Sequence, residues 1–239
     1  MASTLTHTPP AALELSGIGR RFRQRWALRG VTLRVERGDV VALMGRNGTG
    51  KSTLLRVCAM LLRPSRGEGK IYGFDLVRDA SSARGLVGLL GHDNGLYEDL
   101  TAVENMRFVL RMLGRPSHDQ AIMSALSQVG LERAANDRVR TFSSGMQRRL
   151  AIARLRLHAP PLLLLDEPYN SIDSEGVQLV NELIASTRRA GGAALVVVHD
   201  VERVGSQATR WARLLEGRVE TSESPVYEPV NAIAVEEVA

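Results

Sequence analysis

Gly45-Arg46-Asn47-Gly48-Thr49-Gly50-Lys51-Ser52 places three glycines, a lysine and a hydroxyl where a phosphate-cradling loop needs them, directly after the apolar run Val40-Val41-Ala42-Leu43-Met44. Glycines let backbone N–H groups turn inward around phosphate oxygens, and a helix opening at Lys51 adds the positive end of its dipole. In that geometry Lys51 reaches the outer phosphates of a nucleoside triphosphate, the Ser52 hydroxyl ligates magnesium, and Thr53 completes the nucleotide-binding segment. An ordinary glycine-rich turn is the competing reading, and it leaves the buried strand and helix on either side unexplained. A second apolar run, Leu162 to Leu165, ends in Asp166-Glu167. Asp166 would hold the magnesium, directly or through water, and Glu167 would align and deprotonate an attacking water. A carboxylate pair capping a turn is the bland alternative, but a module that only bound nucleotide would have no need of Glu167.

These motifs require particular elements around them. The alternation Val31-Thr32-Leu33-Arg34-Val35, with Leu13, Leu15 and Ile18 before it, predicts antiparallel strands at one edge. Buried strands are predicted over 40–44, 86–90, 162–165 and 194–198, with a helix from Lys51 to about Leu62, stopped by Arg63-Pro64. Ile71-Tyr72 and Trp211 to Leu215 read as further short strands. From Thr101 the period changes to helical: Thr101-Ala102-Val103-Glu104 is a capping box, and helices are predicted to Gly114, over 117–130 and over 145–158. Strand and helix then alternate again, with a helix over 174–190 and a short one after Asp200. The pattern predicts a parallel-sheet α/β core of residues 13–94 and 159–220, an inserted helical subdomain of about 95–158, a flexible N-terminus of 1–12 and an acidic tail of 221–239.

With both motifs in place, Phe142-Ser143-Ser144-Gly145-Met146-Gln147-Arg148-Arg149-Leu150, shortly before the second carboxylate motif, resembles the signature segment of the ATP-binding cassette family. The resemblance spans about residues 13–220 and implies a P-loop NTPase (RecA-like) core, ATP and Mg2+ as ligands, and ATPase activity. It departs from the usual Leu-Ser-Gly-Gly-Gln, because Ser144 stands in the first Gly place and Met146 in the Gln place, while Ser143 and Gly145 match. Ser143 and the N–H groups opening the helix at Gly145 would offer a second anion site, which the resemblance assigns to the γ-phosphate held by a partner subunit; a plain helix cap is the alternative. His199 matches the family's switch histidine, Asp173 in Ser171-Ile172-Asp173 the acid of the loop that meets the opposite subunit, and Phe22 the aromatic that stacks on adenine, a role Trp26 is close enough to contest. In Gly91-His92-Asp93-Asn94-Gly95, either His92 or Asp93 occupies the place of the family's magnesium-contacting Gln. Asp93 could ligate magnesium but adds negative charge beside the phosphates.

Composition bounds the rest. The 239 residues, 44% hydrophobic and 24% charged, fit an ordinary globular chain, and the lone Cys58 excludes an internal disulfide. No apolar run approaches the roughly 20 residues of a membrane span, and the Thr/Pro-rich start lacks the pattern of a secretory signal. Net charge is +5, yet no Lys or Arg follows Arg218 while five glutamates do. A basic body invites nucleic acid, but scattered arginines and 4% aromatic residues offer few stacking platforms, so nucleic acid is an unlikely partner. The expected protein is a cytoplasmic ATPase subunit, peripheral on the inner face of the membrane. It pairs as a homodimer or pseudo-dimer and grips integral membrane transporter subunits, with the surface around Leu96 to Leu113 as docking face or simply as packing inside the lobe. The Leu-Thr-Ala-Val-Glu-Asn run and 147–155 are similar to haem-exporter ATPases of cytochrome c maturation, whereas Ser-Ser-Gly-Met is similar to drug or sodium efflux ATPases. A soluble cassette acting on ribosomes or nucleic acid and a small-metabolite phosphotransferase are the readings outside transport.

Overall fold

The computed structural model describes residues 9–170, 172–199 and 201–222. Expectations for residues 1–8, for Ser171 and for the tail after Ser222 lie outside the described residues. In chain order the strands are β1 (Leu13–Phe22), β2 (Arg25–Val35), β3 (Val40–Met44), β4 (Arg66–Ile71), β5 (Phe74–Asp75), β6 (Val87–Leu90), β7 (Leu162–Asp166), β8 (Ala193–Val197), β9 (Arg210–Leu215) and β10 (Arg218–Ser222). The helices are α1 (Lys51–Cys58), α2 (Ala80–Arg84), α3 (Ala102–Met112), α4 (Asp119–Ser127), α5 (Ser144–His158), α6 (Ser174–Arg189) and α7 (Val201–Val204).

The continuous apolar runs become the middle of a sheet of order β10-β9-β3-β8-β7-β6, in which β6, β7, β8, β3 and β9 run parallel and β10 closes the edge antiparallel. Such strands are apolar throughout because both faces are covered. Val41 and Leu43, Leu162 and Leu164, Leu195 and Val197 face α1 and a second, antiparallel sheet of order β2-β1-β4-β5, where they meet Leu13, Leu15, Ile18, Leu28 and Leu33. Val40 and Ala42, Leu163 and Leu165, Ala194 and Val196 face α5, α6 and the helical lobe. The predicted antiparallel edge is therefore a sheet of its own.

The lobe is held at its entrance by the predicted capping box. The Thr101 side chain accepts the Glu104 N–H and the Glu104 carboxylate accepts the Thr101 N–H, at 3.2 and 2.8 Å. Buried Asn105 secures the preceding turn by accepting the Tyr97 N–H at 2.8 Å and donating to the Tyr97 carbonyl at 2.9 Å. The lobe is not separate from the core. Leu155 of α5 sits against Gly88 of β6, where an added Cβ would lie 2.6 Å from its Cδ2, and buried His158 places Nε2 3.0 Å from the Gly85 carbonyl.

Three local differences from the sequence pattern have physical causes. α1 stops at Cys58, short of Leu62, because Met60 takes a left-handed φ of 57°. β10 escapes detection because Arg218-Val-Glu-Thr-Ser is mostly exposed and pairs on one side only. Ala11 and Ala12, at the end of the segment expected to be flexible, are buried, and the Ala12 carbonyl accepts the Tyr72 N–H at 3.3 Å.

Burial lowers the His158 pKa from its usual 6.5, so the fold holds this ring neutral while the unfolded chain binds the proton. Stability from this residue is present above about pH 6.5 and declines as pH falls from there toward the lowered folded value. His158→Gln is expected to flatten the slope of unfolding free energy against pH below 6.5, measured by urea titration at several pH values. Identical slopes for the two proteins would contradict this.

Candidate active site

Gly45 to Ser52 form the turn between β3 and α1, at the carboxyl end of the parallel sheet where open α/β folds place their ligands. Two of the glycines are obligatory. Gly45 has φ 148° and a Cβ there would lie 2.5 Å from the Leu214 carbonyl oxygen; Gly50 has φ 107° and a Cβ would lie 2.6 Å from that of Ala27. Gly50 also caps α1 with no side-chain hydrogen bond, and no acidic residue occupies the first turn, so the helix opens with unsatisfied N–H groups. Lys51, 6% exposed, donates from Nζ to the carbonyls of Gly45 at 2.6 Å and Arg46 at 3.0 Å. Burial lowers its pKa, and the carboxylates of Glu167 and Asp166 act in the opposite direction. Arg46, Asn47, Gly48, Thr49, Ser52 and Thr53 line the same cleft of about 1080 Å³.

Phe22 and Trp26 also line that cleft. The Trp26 ring already carries two guanidiniums, Arg66 at 4.8 Å and Arg21 at 5.7 Å, whereas Phe22 carries Arg20 alone at 4.8 Å and is 43% exposed. Of the two, Phe22 has more ring surface to offer.

Asp166 ends β7 and its Oδ1 is buried without a hydrogen-bond partner among the described residues. An orphaned carboxylate oxygen beside Ser52, in one cavity of about 430 Å³, fits a hard cation or its bound water. Glu167 follows with a left-handed φ of 49°. Its Oε1 lies 2.6 Å from His199 Nε2, which puts the imidazole proton on that nitrogen, and its Oε2 accepts Asn170 Nδ2 at 2.5 Å. The register Asp166↔Val197 between β7 and β8 brings Glu167 and His199, each just past its strand, to the same end of the sheet.

His92 and Asn94 line the cavity that holds Glu167, together with Ser144 and Arg148 of α5. Asp93 turns to the adjoining groove, and its Oδ1 accepts the Gly95 N–H at 3.0 Å. Arg154 ties this loop to α5 through the carbonyls of Gly95 and Asn94 at 2.5 and 2.8 Å. Ser143 caps α5 by accepting the Met146 N–H at 3.2 Å, and a Cβ at Gly145 would meet only the Ser143 Oγ, at 3.9 Å. Among the described residues, no contact requires glycine at that point. Asp173 caps α6, its Oδ1 accepting the Gly176 N–H at 2.8 Å, while its Oδ2 accepts Arg149 at 2.8 Å. Asp173 thereby links α6 to α5 within the chain.

A family model described as ABC transporter matches residues 28–170. The chain belongs to that family. It is 39% identical over 208 residues to the cytochrome c biogenesis ATP-binding export protein CcmA of Xanthomonas campestris pv. campestris (strain 8004), covering 87% of this chain and 96% of that one. It is 36% identical over 199 residues to the ABC transporter ATP-binding protein NatA of Bacillus subtilis (strain 168), covering 80% and 81%. Among solved structures, the ATP-binding cassette MJ0796, in a dimeric post-hydrolysis state bound to ADP and Pi, matches with TM-score 0.80 at 27% identity, over 90% of this chain and all of that one. The protein is thus an ABC transporter ATPase subunit that binds and hydrolyses ATP.

Four residues of this ABC ATPase site escape a reading of motifs. Asn170, Asn94, Arg148 and Arg154 each act through a bond to another site element; Asn94, Arg148 and Arg154 stand inside segments that the sequence reading singles out, but none of the four has a role there. Lys51→Ala removes the buried ammonium that would reach the phosphates and is expected to weaken ATP binding at least about tenfold, measured by nucleotide titration. Gly50→Ala should do the same by forcing the loop off the Ala27 carbonyl. Unchanged affinity in both would remove this loop from the site.

Proposed function

We propose that this chain powers export linked to cytochrome c biogenesis, as one half of an ATPase pair that closes head-to-tail over ATP. ATP lies along the cleft from Phe22 to Lys51, with adenine on Phe22 and the outer phosphates on the Gly45 to Ser52 loop. Ser52 and Asp166 hold the Mg2+ of the nucleotide, which neutralises phosphate charge when bound; Asp93 borders that place from the adjoining groove. Glu167, braced by His199 and Asn170, takes a proton from the attacking water. Each carboxylate oxygen retains a lone pair for it beyond the hydrogen bond it already accepts. His199, held against Glu167 through Nε2, would contact the γ-phosphate.

The observation that carries the pairing is the start of α5. Its Ser143 cap takes up the Met146 N–H, no acidic residue occupies the first turn, and Gly145 is a glycine that no contact among the described residues demands, which suits an anion brought by a second chain. The dimeric state of the MJ0796 neighbour supports the same arrangement.

No helix among the described residues is long and apolar enough to cross a membrane. We assign the attachment to integral membrane subunits at the cytoplasmic face. The groove between core and lobe suits that docking, lined by Leu55, Leu61 and Leu62 with Leu61 64% exposed, and Met112 of α3 adds apolar surface at 72% exposure. The export assignment rests on the several curated relatives named for cytochrome c biogenesis, at 38–39% identity.

Glu167→Gln keeps the shape and removes the base. ATP binding is expected to persist, phosphate release to fall by about 10²- to 10⁴-fold, and an ATP-dependent dimer to accumulate on size exclusion. Hydrolysis at the unaltered rate would remove Glu167 from the role.

A further inference from the structure

Arg148 is 9% exposed and points from α5 into the space between three elements of the site. Its Nη1 donates to the Gly91 carbonyl at 2.7 Å and to Asn94 Oδ1 at 3.2 Å, on the loop after β6. Its Nη2 donates to the Glu167 carbonyl at 3.3 Å and lies 3.5 Å from that of Asp166. All four acceptors are neutral oxygens, and among the described residues no carboxylate lies within ion-pair distance of the guanidinium. A buried guanidinium spent on main-chain carbonyls makes a poor stabilising ion pair. It makes a good strut, because a rigid planar fork reaches two segments at fixed angles, which a lysine ammonium cannot.

The segment it grips on the sheet side is strained. Glu167 is a non-glycine residue in the left-handed region, an arrangement that persists only where its surroundings impose it. Its N–H donates to the Val197 carbonyl at 3.1 Å, and its carbonyl accepts both the Asn170 N–H at 3.2 Å and Arg148. We propose that Arg148 is a positioning residue for hydrolysis: it holds the main chain of Glu167 in its left-handed turn and ties it to the 91–94 loop. Ser144, one helical turn earlier on α5, opens on the same cavity, so a displacement of the start of α5 is carried by Arg148 to the carbonyl of the base. This rests on the assignment of Glu167 as the base.

The test compares Arg148→Ala and Arg148→Lys with the unaltered full-length chain, measuring kcat, KM, nucleotide affinity and melting temperature. For Arg148→Ala, kcat is expected to fall about 10- to 100-fold with ATP affinity within about threefold, as for other misplacements near 1 Å. Arg148→Lys keeps the charge and is expected to remain low in kcat, and guanidinium at tens of millimolar, but not methylammonium, should restore part of the Ala variant's rate. A full rate in either folded variant would overturn the proposal, as would loss of ATP affinity in parallel with kcat. If the Ala variant does not fold, the Lys variant decides: reduced kcat at unchanged ATP affinity supports the strut, and the unaltered rate refutes it. Failure of the underlying reading is separate, because it would show as Glu167→Gln hydrolysing ATP normally whatever Arg148 does.

Discussion

Two buried cations, Lys51 and Arg148, are bonded only to neutral oxygens among the described residues, and the site is built around them. Lys51 rests on the carbonyls of Gly45 and Arg46, Arg148 on those of Gly91 and Glu167, and the carboxylates of Asp166 and Glu167 stand nearby without pairing with either. Burying charge is costly when it is uncompensated. Under the proposed function a polyphosphate would supply the missing anion at Lys51 and the N–H groups opening α1, and Asp166 Oδ1, unpartnered among the described residues, would take the accompanying cation.

The parallel sheet does that positioning. β3, β8 and β7 are neighbours, so the phosphate loop, His199 and the two carboxylates leave adjacent strands at one end of the sheet. Leucine and valine side chains on both faces lock the strands against the antiparallel sheet on one side and α5 and α6 on the other. α5 then joins the site to the lobe: its start is the Ser143 cap, Arg148 reaches the Glu167 carbonyl, Arg154 the 91–95 loop and Arg149 the cap of α6.

Legibility followed how far each residue acts. Gly45 to Ser52, Asp166-Glu167 and the capping box at Thr101 depend on their own neighbours in sequence, and all were readable as patterns. So were the buried strands, because full burial leaves continuous apolar runs. The Asn170 and His199 contacts to Glu167, and the Arg148 strut, depend on strand order and on which side of α5 faces the sheet, which no local pattern encodes. Arg148 and Arg154 stand inside segments matched by resemblance, but no local pattern gave either one its partners. β10 was missed because one-sided pairing leaves little hydrophobic signal. The choice between His92 and Asp93 became clearer through geometry alone: His92 borders the cavity of Glu167, while Asp93 bonds to its own loop.

Division of each ATP site between two chains is tested most directly by mixing two defective proteins. A Lys51→Ala chain keeps an intact Ser143, and a Ser143→Arg chain keeps an intact phosphate loop, so a mixed pair contains one complete composite site. Each protein alone is predicted to be nearly inactive, and phosphate release is predicted to return on mixing, rising with the fraction of mixed pairs. Full-rate turnover by the Ser143→Arg chain alone, or no recovery in mixed pairs verified to form, would contradict the division.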